Sequence, residues 1–406
     1  MNEHKAVPNI RFKGFDDEWK NEFIKNISTM KSGGTPSVNK REYYVGDIPF
    51  IRSSDIKNES TELKINDEAI KNSSSFMVEK GTVLYALYGA TSGQVSISKV
   101  TGAINQAVLA IFPNEIVNKY FLVYWLSFNK EKITNKYLQG GQGNLSAKIV
   151  KNLLLPFPTK FEQQKIGDFF TKLDKLLDLQ QQKINKFDLL KKALLQKLFP
   201  KHDAKIPELR FKGYKNEWEE QKLRIYIERV SGNDGRMNLP TLTISASKGW
   251  MNQNERFSNN IAGKEQKNYT LLKRGELSYN HGNSKLFKYG VVYELVNYDE
   301  ALVPKVYHSF RVNSKASARF IEYLFRGKKV DRELRKLVTS GARMDGLLNI
   351  SFNNFENIQL YFPEKAEQKK VSNLLSKVDQ LIELENKKLH NLQQVKKCLL
   401  QNMFVE

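Results

Sequence analysis

Asp55 followed by Glu62-Leu63-Lys64 is the spacing in this chain closest to a metal-dependent nuclease centre, with two carboxylates for a divalent ion and a lysine beside them. It lacks a preceding proline and has no second copy, and a chain with 27% charged residues supplies such triplets by chance. The five histidines, His4, His202, His281, His308 and His390, show no ligand spacing. Cys398 is the only cysteine, which excludes an intramolecular disulfide and a cysteine-based zinc site and fits a reducing cytoplasm. DNA amino-methyltransferases carry an Asn/Asp-Pro-Pro-aromatic loop, and no Pro-Pro pair occurs here. No G-x-G-x-x-G follows a strand, and the GGQGN loop at 140–144 lacks the lysine of a P-loop. Nothing resembles the G-x-S-x-G of a serine hydrolase. The residues point to binding rather than catalysis.

Lysine and arginine total 65 against 44 acidic residues, a net charge of +21. Such a surplus calls for a polyanion. A membrane surface is the weaker choice, because the most apolar stretch, Tyr120 to Phe128, falls short of the roughly 20 residues that span a bilayer. Met1 to Lys13 is polar and charged, unlike a signal peptide. Nucleic acid is the expected partner and the cytoplasm the expected location.

The elements that would position a binding surface are duplicated. VPNIRFKGFDDEWK at 7–20 returns as IPELRFKGYKNEWE at 206–219, with seven identities in fourteen positions at an offset of 199. Residues 152–199 and 357–404 share nineteen of forty-eight positions at an offset of 205, without a gap. These identities include Glu162-Gln163 with Glu367-Gln368, Asp174 with Asp379, and Lys191-Lys192 with Lys396-Lys397. The stretches between match in length but scarcely in sequence, so a common frame holds two unlike inserts. Each insert shows strand-like runs broken at glycine, Gly81–Gly89 and Ile104–Pro113 in the first, Gly275–Asn280 and Gly290–Val296 in the second. A helix-like stretch follows, around Glu115–Leu138 and Ser317–Thr339, then a glycine-bearing loop and a strand leading to Pro158 or Pro363.

Each half closes on a long helix. Apolar residues recur at spacings of four and three: Ile166, Phe170, Leu173, Leu177, Ile184, Phe187, Leu194 and Leu198, then Val371, Leu375, Val378, Ile382, Leu389, Leu392, Leu399 and Met403. This is the seam of a coiled coil. Gln180 with Lys191, and Glu385 with Lys396, interrupt it at equivalent places and either fix register or mark solvated turns. Thr159 with Glu162 predicts a capping box in the first copy only. The simplest arrangement pairs the two helices antiparallel about a pseudo-twofold axis, as a spacer between two modules.

The chain resembles the DNA-specificity subunit of type I restriction–modification systems over nearly its whole length. The resemblance rests on the P-x-x-R-F-x-G openings, the P-x-x-x-E-Q-x-x-(I/V) start of each helix, and VLYALYGATSGQVSIS with GAINQAVLAIF in the first insert. LTISASKGWMNQ and LVPKVYHSFRV in the second insert resemble another recognition-domain subtype. The resemblance implies α/β target-recognition domains at 1–158 and 201–363, with spacer helices at 159–200 and 364–406. It implies a non-catalytic subunit in which each domain reads one half of an asymmetric bipartite site in double-stranded DNA. Two modification subunits would dock on the paired helices and restriction subunits would join through the complex. S-adenosylmethionine, ATP and magnesium would sit on those partners, with no cofactor or metal on this chain. The alternatives are a stand-alone DNA-modifying enzyme and a coiled-coil protein adaptor.

Residue types then select candidate contacts. Lysine, arginine and glycine-loop amides suit phosphates, whereas arginine, asparagine, glutamine and small hydroxyls suit base edges. In the first insert these are Ser32, Gly33, Gly34, Thr35, Arg52, Ser53, Ser54, Tyr88, Gly89, Ala90, Thr91, Gln142 and Asn144. In the second they are Lys248, Asn280, His281, Asn283, Ser284, Lys285, Arg343 and Asp345. Against each stands a plainer role: a turn glycine, a core position for Tyr88, a local ion pair for Arg343 and Asp345.

Overall fold

A computed structural model describes residues 7–405 apart from 139–142, 202–203, 258–262, 283, 285 and 339–347. The chain forms two compact units, Met1–Gln181 with Lys387–Glu406, and Gln182–Asn386. Each long helix therefore belongs partly to both units, because its apolar seam joins one core at its start and the other at its end. The sequence pattern instead sets each helix apart as a segment of its own.

In the first unit a four-stranded antiparallel sheet runs in the order Ser28–Ser32, Val108–Pro113, Val83–Ala86, Val95–Ile97. A second sheet joins Lys64–Ile65, Ile48–Ile51, Gly102–Ile104 and Phe76–Val78, with the middle two parallel. Val83–Ala86 is buried along its whole length, consistent with its continuous Val-Leu-Tyr-Ala run. In the second unit the equivalent sheet is Ile227–Arg229, His308–Val312, Leu277–Asn280, Val291–Glu294. The two sheets share one strand order although their sequences do not match. Topology thus pairs the Ile104–Pro113 run with His308–Val312, whereas Gly290–Val296 corresponds to Val95–Ile97.

The repeated segments build the frame. Lys20–Phe23 pairs antiparallel with Leu154–Phe157, and Glu219–Lys222 pairs likewise with Gln359–Phe362. Trp19 and Trp218 are buried, each immediately before the first strand of its pair. The Arg11 guanidinium donates to Glu162 through Nε at 2.7 Å and Nη2 at 2.8 Å, and Arg210 does the same to Glu367, both at 2.8 Å. The Gln163 amide donates to the Pro158 carbonyl at 2.9 Å and accepts from the Asn118 N–H at 2.9 Å, and Gln368 repeats this with Pro363 and Ser317. The Glu-Gln identities are thus the latch that seats each insert on its helix.

Each helix-like stretch breaks in two. Lys119–Phe128 and Lys130–Leu138 part at Asn129, and Ala318–Arg326 and Asp331–Leu337 part around Gly327 and Lys328. Lys328 takes φ 58°, a left-handed conformation that ends the first segment. The long helices run Lys160–Lys197 and Lys365–Met403. Thr159 Oγ1 accepts from the Glu162 N–H at 3.3 Å, but the Glu162 carboxylate turns to Arg11, so only half of the capping box forms.

The helices pair antiparallel. In the first unit Phe170, near the start of one, stacks 6.0 Å from Phe404, past the end of the other. In the second unit Lys183 meets Glu385 at 2.5 Å and Lys191 meets Asp379 at 2.5 Å, so one number rises as its partner falls. Ile166, Phe170 and Ile184 are buried, as are Val371, Leu375 and Val378, and Leu173, Leu177, Phe187, Ile382, Leu389 and Leu392 are partly so. The polar interruptions belong to the seam: Gln180 and Glu385 are buried, and Lys191 and Lys396 form ion pairs. Among the described residues, no helix is long and apolar enough to cross a membrane.

Candidate nucleic-acid interface

The strand order decides where the candidate contacts fall. In an antiparallel sheet ordered as above, the ends of Ser28–Ser32 and Val83–Ala86 share one edge with the starts of Val108–Pro113 and Val95–Ile97. The loops at 33–35, 87–94 and 105–107 therefore gather there. Ile51, which pairs in parallel with Ile104, brings the 52–54 loop to the same edge. The Leu145 N–H donates to the Leu87 carbonyl at 2.9 Å and ties exposed Asn144 to the group.

The residues at this edge divide by task. A Cβ on Gly33 would lie 1.8 Å from the Ile104 carbonyl oxygen, and one on Gly34 would lie 2.6 Å from Ser74 Cβ. Both positions need glycine for close backbone approach, with Gly33 half-buried and Gly34 buried. Exposed Ser32 and Thr35 flank them, and the Thr35 hydroxyl donates to Gln106 Oε1 at 2.5 Å. Tyr88 is half-buried against the core, whereas Gly89 and Ala90 are exposed and Thr91 half-exposed on a short turn. Arg52 donates to Asp55 at 2.9 Å and to Glu62 at 3.1 Å, beside half-exposed Ser53 and exposed Ser54. Its guanidinium is committed to two carboxylates, and the hydrogen bond to Asp55, joined by that to Glu62, raises its pKa against the opposing effect of burial. The same contacts dissolve the nuclease-like triplet, since Asp55 and Glu62 neutralise Arg52 and Lys64 faces Asp47. Among the described residues, no group of three or more His, Cys, Asp or Glu could hold a metal ion. Gln142 lies outside the described residues.

The second unit repeats the edge with other chemistry. Loops after Arg229 and Asn280 and before His308 meet there. The Asn280 amide donates to the Ile244 carbonyl at 3.2 Å and its Oδ1 accepts from the Gly282 N–H at 3.1 Å. His281 is 5% exposed, with Nδ1 2.6 Å from the Leu348 carbonyl and Nε2 2.8 Å from that of Val306. Expected to touch DNA, it instead pins three loops together, since both ring nitrogens are occupied. It stacks on His308 with centroids 4.9 Å apart. Burial drives the His308 pKa down to about 4, with His281 and Arg229 adding to the effect against a hydrogen bond to the Ile350 carbonyl. Ser284 Oγ accepts from the Phe287 N–H at 3.0 Å in a local turn. Lys248 is exposed on a hairpin turn, where the Ala246 carbonyl accepts from the Tyr293 hydroxyl at 3.0 Å. Asn283, Lys285, Arg343 and Asp345 lie outside the described residues.

Residue types alone missed two features. Exposed Gln106 sits at the centre of the first edge, in a run otherwise read as strand. Ser231-Gly232 stands at the second edge at the same offset of 199 as Ser32-Gly33, a signal visible when that offset is carried past the opening repeat. Gly232 takes φ +84°, and its carbonyl accepts from the Leu271 N–H at 2.8 Å.

Comparison with known proteins bears on this arrangement. The profile of the type I restriction modification DNA specificity domain matches residues 16–188 and 250–394, more than half of the chain. The chain is 31% identical over 190 residues to the specificity subunit of type I restriction enzyme MjaIX from Methanocaldococcus jannaschii, covering 44% of this chain and 42% of that one. It thus spans less than half the length of that relative. It is 21% identical over 401 residues to the MjaVIII specificity subunit of the same organism, covering 93% and 89%. Among solved structures, the S subunit of a type I restriction–modification system from M. genitalium aligns with a TM-score of 0.62 at 15% identity, over 98% of this chain and 99% of that one. A chain from a type I restriction–modification complex aligns at 0.54 and 14% identity, over 96% and 98%. At such identities these structures establish a shared fold, and with a profile match in each half, the chain belongs to the family of type I restriction–modification DNA specificity subunits.

Proposed function

We propose that this chain is the sequence-reading subunit of a type I restriction–modification complex and carries no catalytic step itself. Each unit reads one half of a bipartite duplex site with the loops at the free edge of its four-stranded sheet. The observation that carries this reading is one strand order holding two different edges. The first edge is hydroxyl- and glycine-rich, and the second is built from asparagine and a stacked histidine pair. Equal frames with unlike edges suit an asymmetric target. The net charge of +21 supplies the phosphate attraction that any such complex needs.

The paired helices set the separation of the half-sites and hold two modification subunits. Those subunits bind S-adenosylmethionine and methylate adenine, and restriction subunits bring ATP- and magnesium-dependent cleavage. A cytoplasmic location follows from this role. The test is to express the chain with its modification subunit and map methylated adenines across the host genome. The proposal expects one asymmetric bipartite motif with a fixed gap, and no methylation from the chain alone. Turnover by the isolated chain with S-adenosylmethionine, or with magnesium and plasmid, would replace it with the enzyme reading.

A further inference from the structure

Asp174 and Asp379 recur at the offset of 205, and each joins three elements of its own unit. Asp174, on the first long helix, accepts from the Tyr124 hydroxyl at 2.8 Å and from Lys396 of the antiparallel helix. Asp379 accepts from the Tyr323 hydroxyl at 2.8 Å, from Arg326 at 2.9 Å and from Lys191 at 2.5 Å. Tyr124 and Tyr323 sit at the offset of 199, within inserts that otherwise scarcely match. Each tyrosine lies on the buried helix of its recognition module, Lys119–Phe128 or Ala318–Arg326.

Apolar burial alone would hold a module on the helices without choosing its angle, since dispersion and desolvation are non-directional. Hydrogen bonds to a carboxylate are directional and stronger than neutral ones. Burial by itself would raise the Asp379 carboxyl, yet Lys191, Arg326 and the Tyr323 hydroxyl outweigh it and hold it below the ordinary carboxylate range. The charged form is therefore the working one. We infer that Asp174 and Asp379 are positioning residues that orient each recognition module on the spacer helices, and so set which half-site spacing the complex accepts. The inference rests on the proposed role as sequence reader.

The test uses the full chain with its modification subunit in a host whose methylated adenines are mapped. Asp174→Asn and Asp379→Asn remove the charge, and Tyr124→Phe and Tyr323→Phe remove the hydroxyl while keeping the ring. Both half-site sequences should persist, while methylation at the native gap falls roughly tenfold and sites one base pair longer or shorter appear. The phenylalanine variants should shift in the same direction by less. If the asparagine variants fail to fold, the phenylalanine variants decide. Native spacing at wild-type efficiency in every folded variant would overturn the inference, as would a change in the sequence of a half-site. A wild-type chain that directs no bipartite methylation would instead count against the proposed function.

Discussion

At the residue scale, the identities shared by the two halves proved to be structural. Glu162 is fully buried against Arg11, and Glu367 is 1% exposed against Arg210. Removing one partner strands a buried charge, so Arg11→Ala or Arg210→Ala should cost its unit about 3 kcal/mol in denaturant unfolding. A change under about 0.5 kcal/mol would show that the latch is not needed. His308 supplies a pH test. Its folded pKa of about 4 lies below the unfolded 6.5. The unfolded chain therefore binds the proton first as pH falls, and stability held above pH 6.5 is lost towards pH 4. Linkage caps the loss at about 3 kcal/mol. Thermal melts from pH 7 to 4 should fall less steeply for His308→Phe than for wild type, and equal slopes would contradict the assignment. The repeated arginine and glutamate could be found from sequence because identity at a fixed offset needs no geometry. The candidate contacts could not be sorted this way, because a glycine packed on Ile104 and a glycine in an open loop look alike in one dimension. His281 misled for the same reason: composition cannot report that both ring nitrogens already face carbonyls.

At the element scale, the alternating four- and three-residue spacing predicted both long helices and their pairing, since a seam of 3.5 residues has few other uses. Lys191 and Lys396 looked like faults in that seam until Asp379 and Asp174 stood opposite them. The strand equivalence was harder to see, because short buried strands carry little period of their own. Only hydrogen-bond order shows that Val108–Pro113 and His308–Val312 occupy the same place. The breaks at Asn129 and Gly327 also escaped the helical pattern, which continues in phase on both sides. If the paired helices measure distance, seven residues added to each near its middle lengthen the spacer by about 10.5 Å. At 3.4 Å per base pair, the gap in the methylated motif should grow by about three base pairs with both half-sites unchanged. An unchanged gap would remove the helices from that role.

At the scale of the whole molecule, duplication is the organising fact. Two copies of one frame each close on a helix shared with the other unit, and each presents its own edge. Charge pointed to nucleic acid and the repeat pointed to two readers, but neither could say which sheet edge reads. Strand order gathers the candidate loops at one edge of each sheet, and the proposed function takes that edge as the reader. Binding of the assembled complex to its site should weaken steeply as salt rises, with each phosphate contact adding about 0.9 to the slope of log affinity against log salt. The central claim is that each unit reads its own half-site, and the most direct measurement is adenine methylation mapped for edge variants of one unit at a time. Thr35→Ala and Gln106→Ala in the first unit should relax one half of the motif by about 1–3 kcal/mol per lost base contact and leave the other half intact. Ser231→Ala and Asn280→Ala should do the reverse. Variants of one edge that alter both halves together, or neither, would contradict the account.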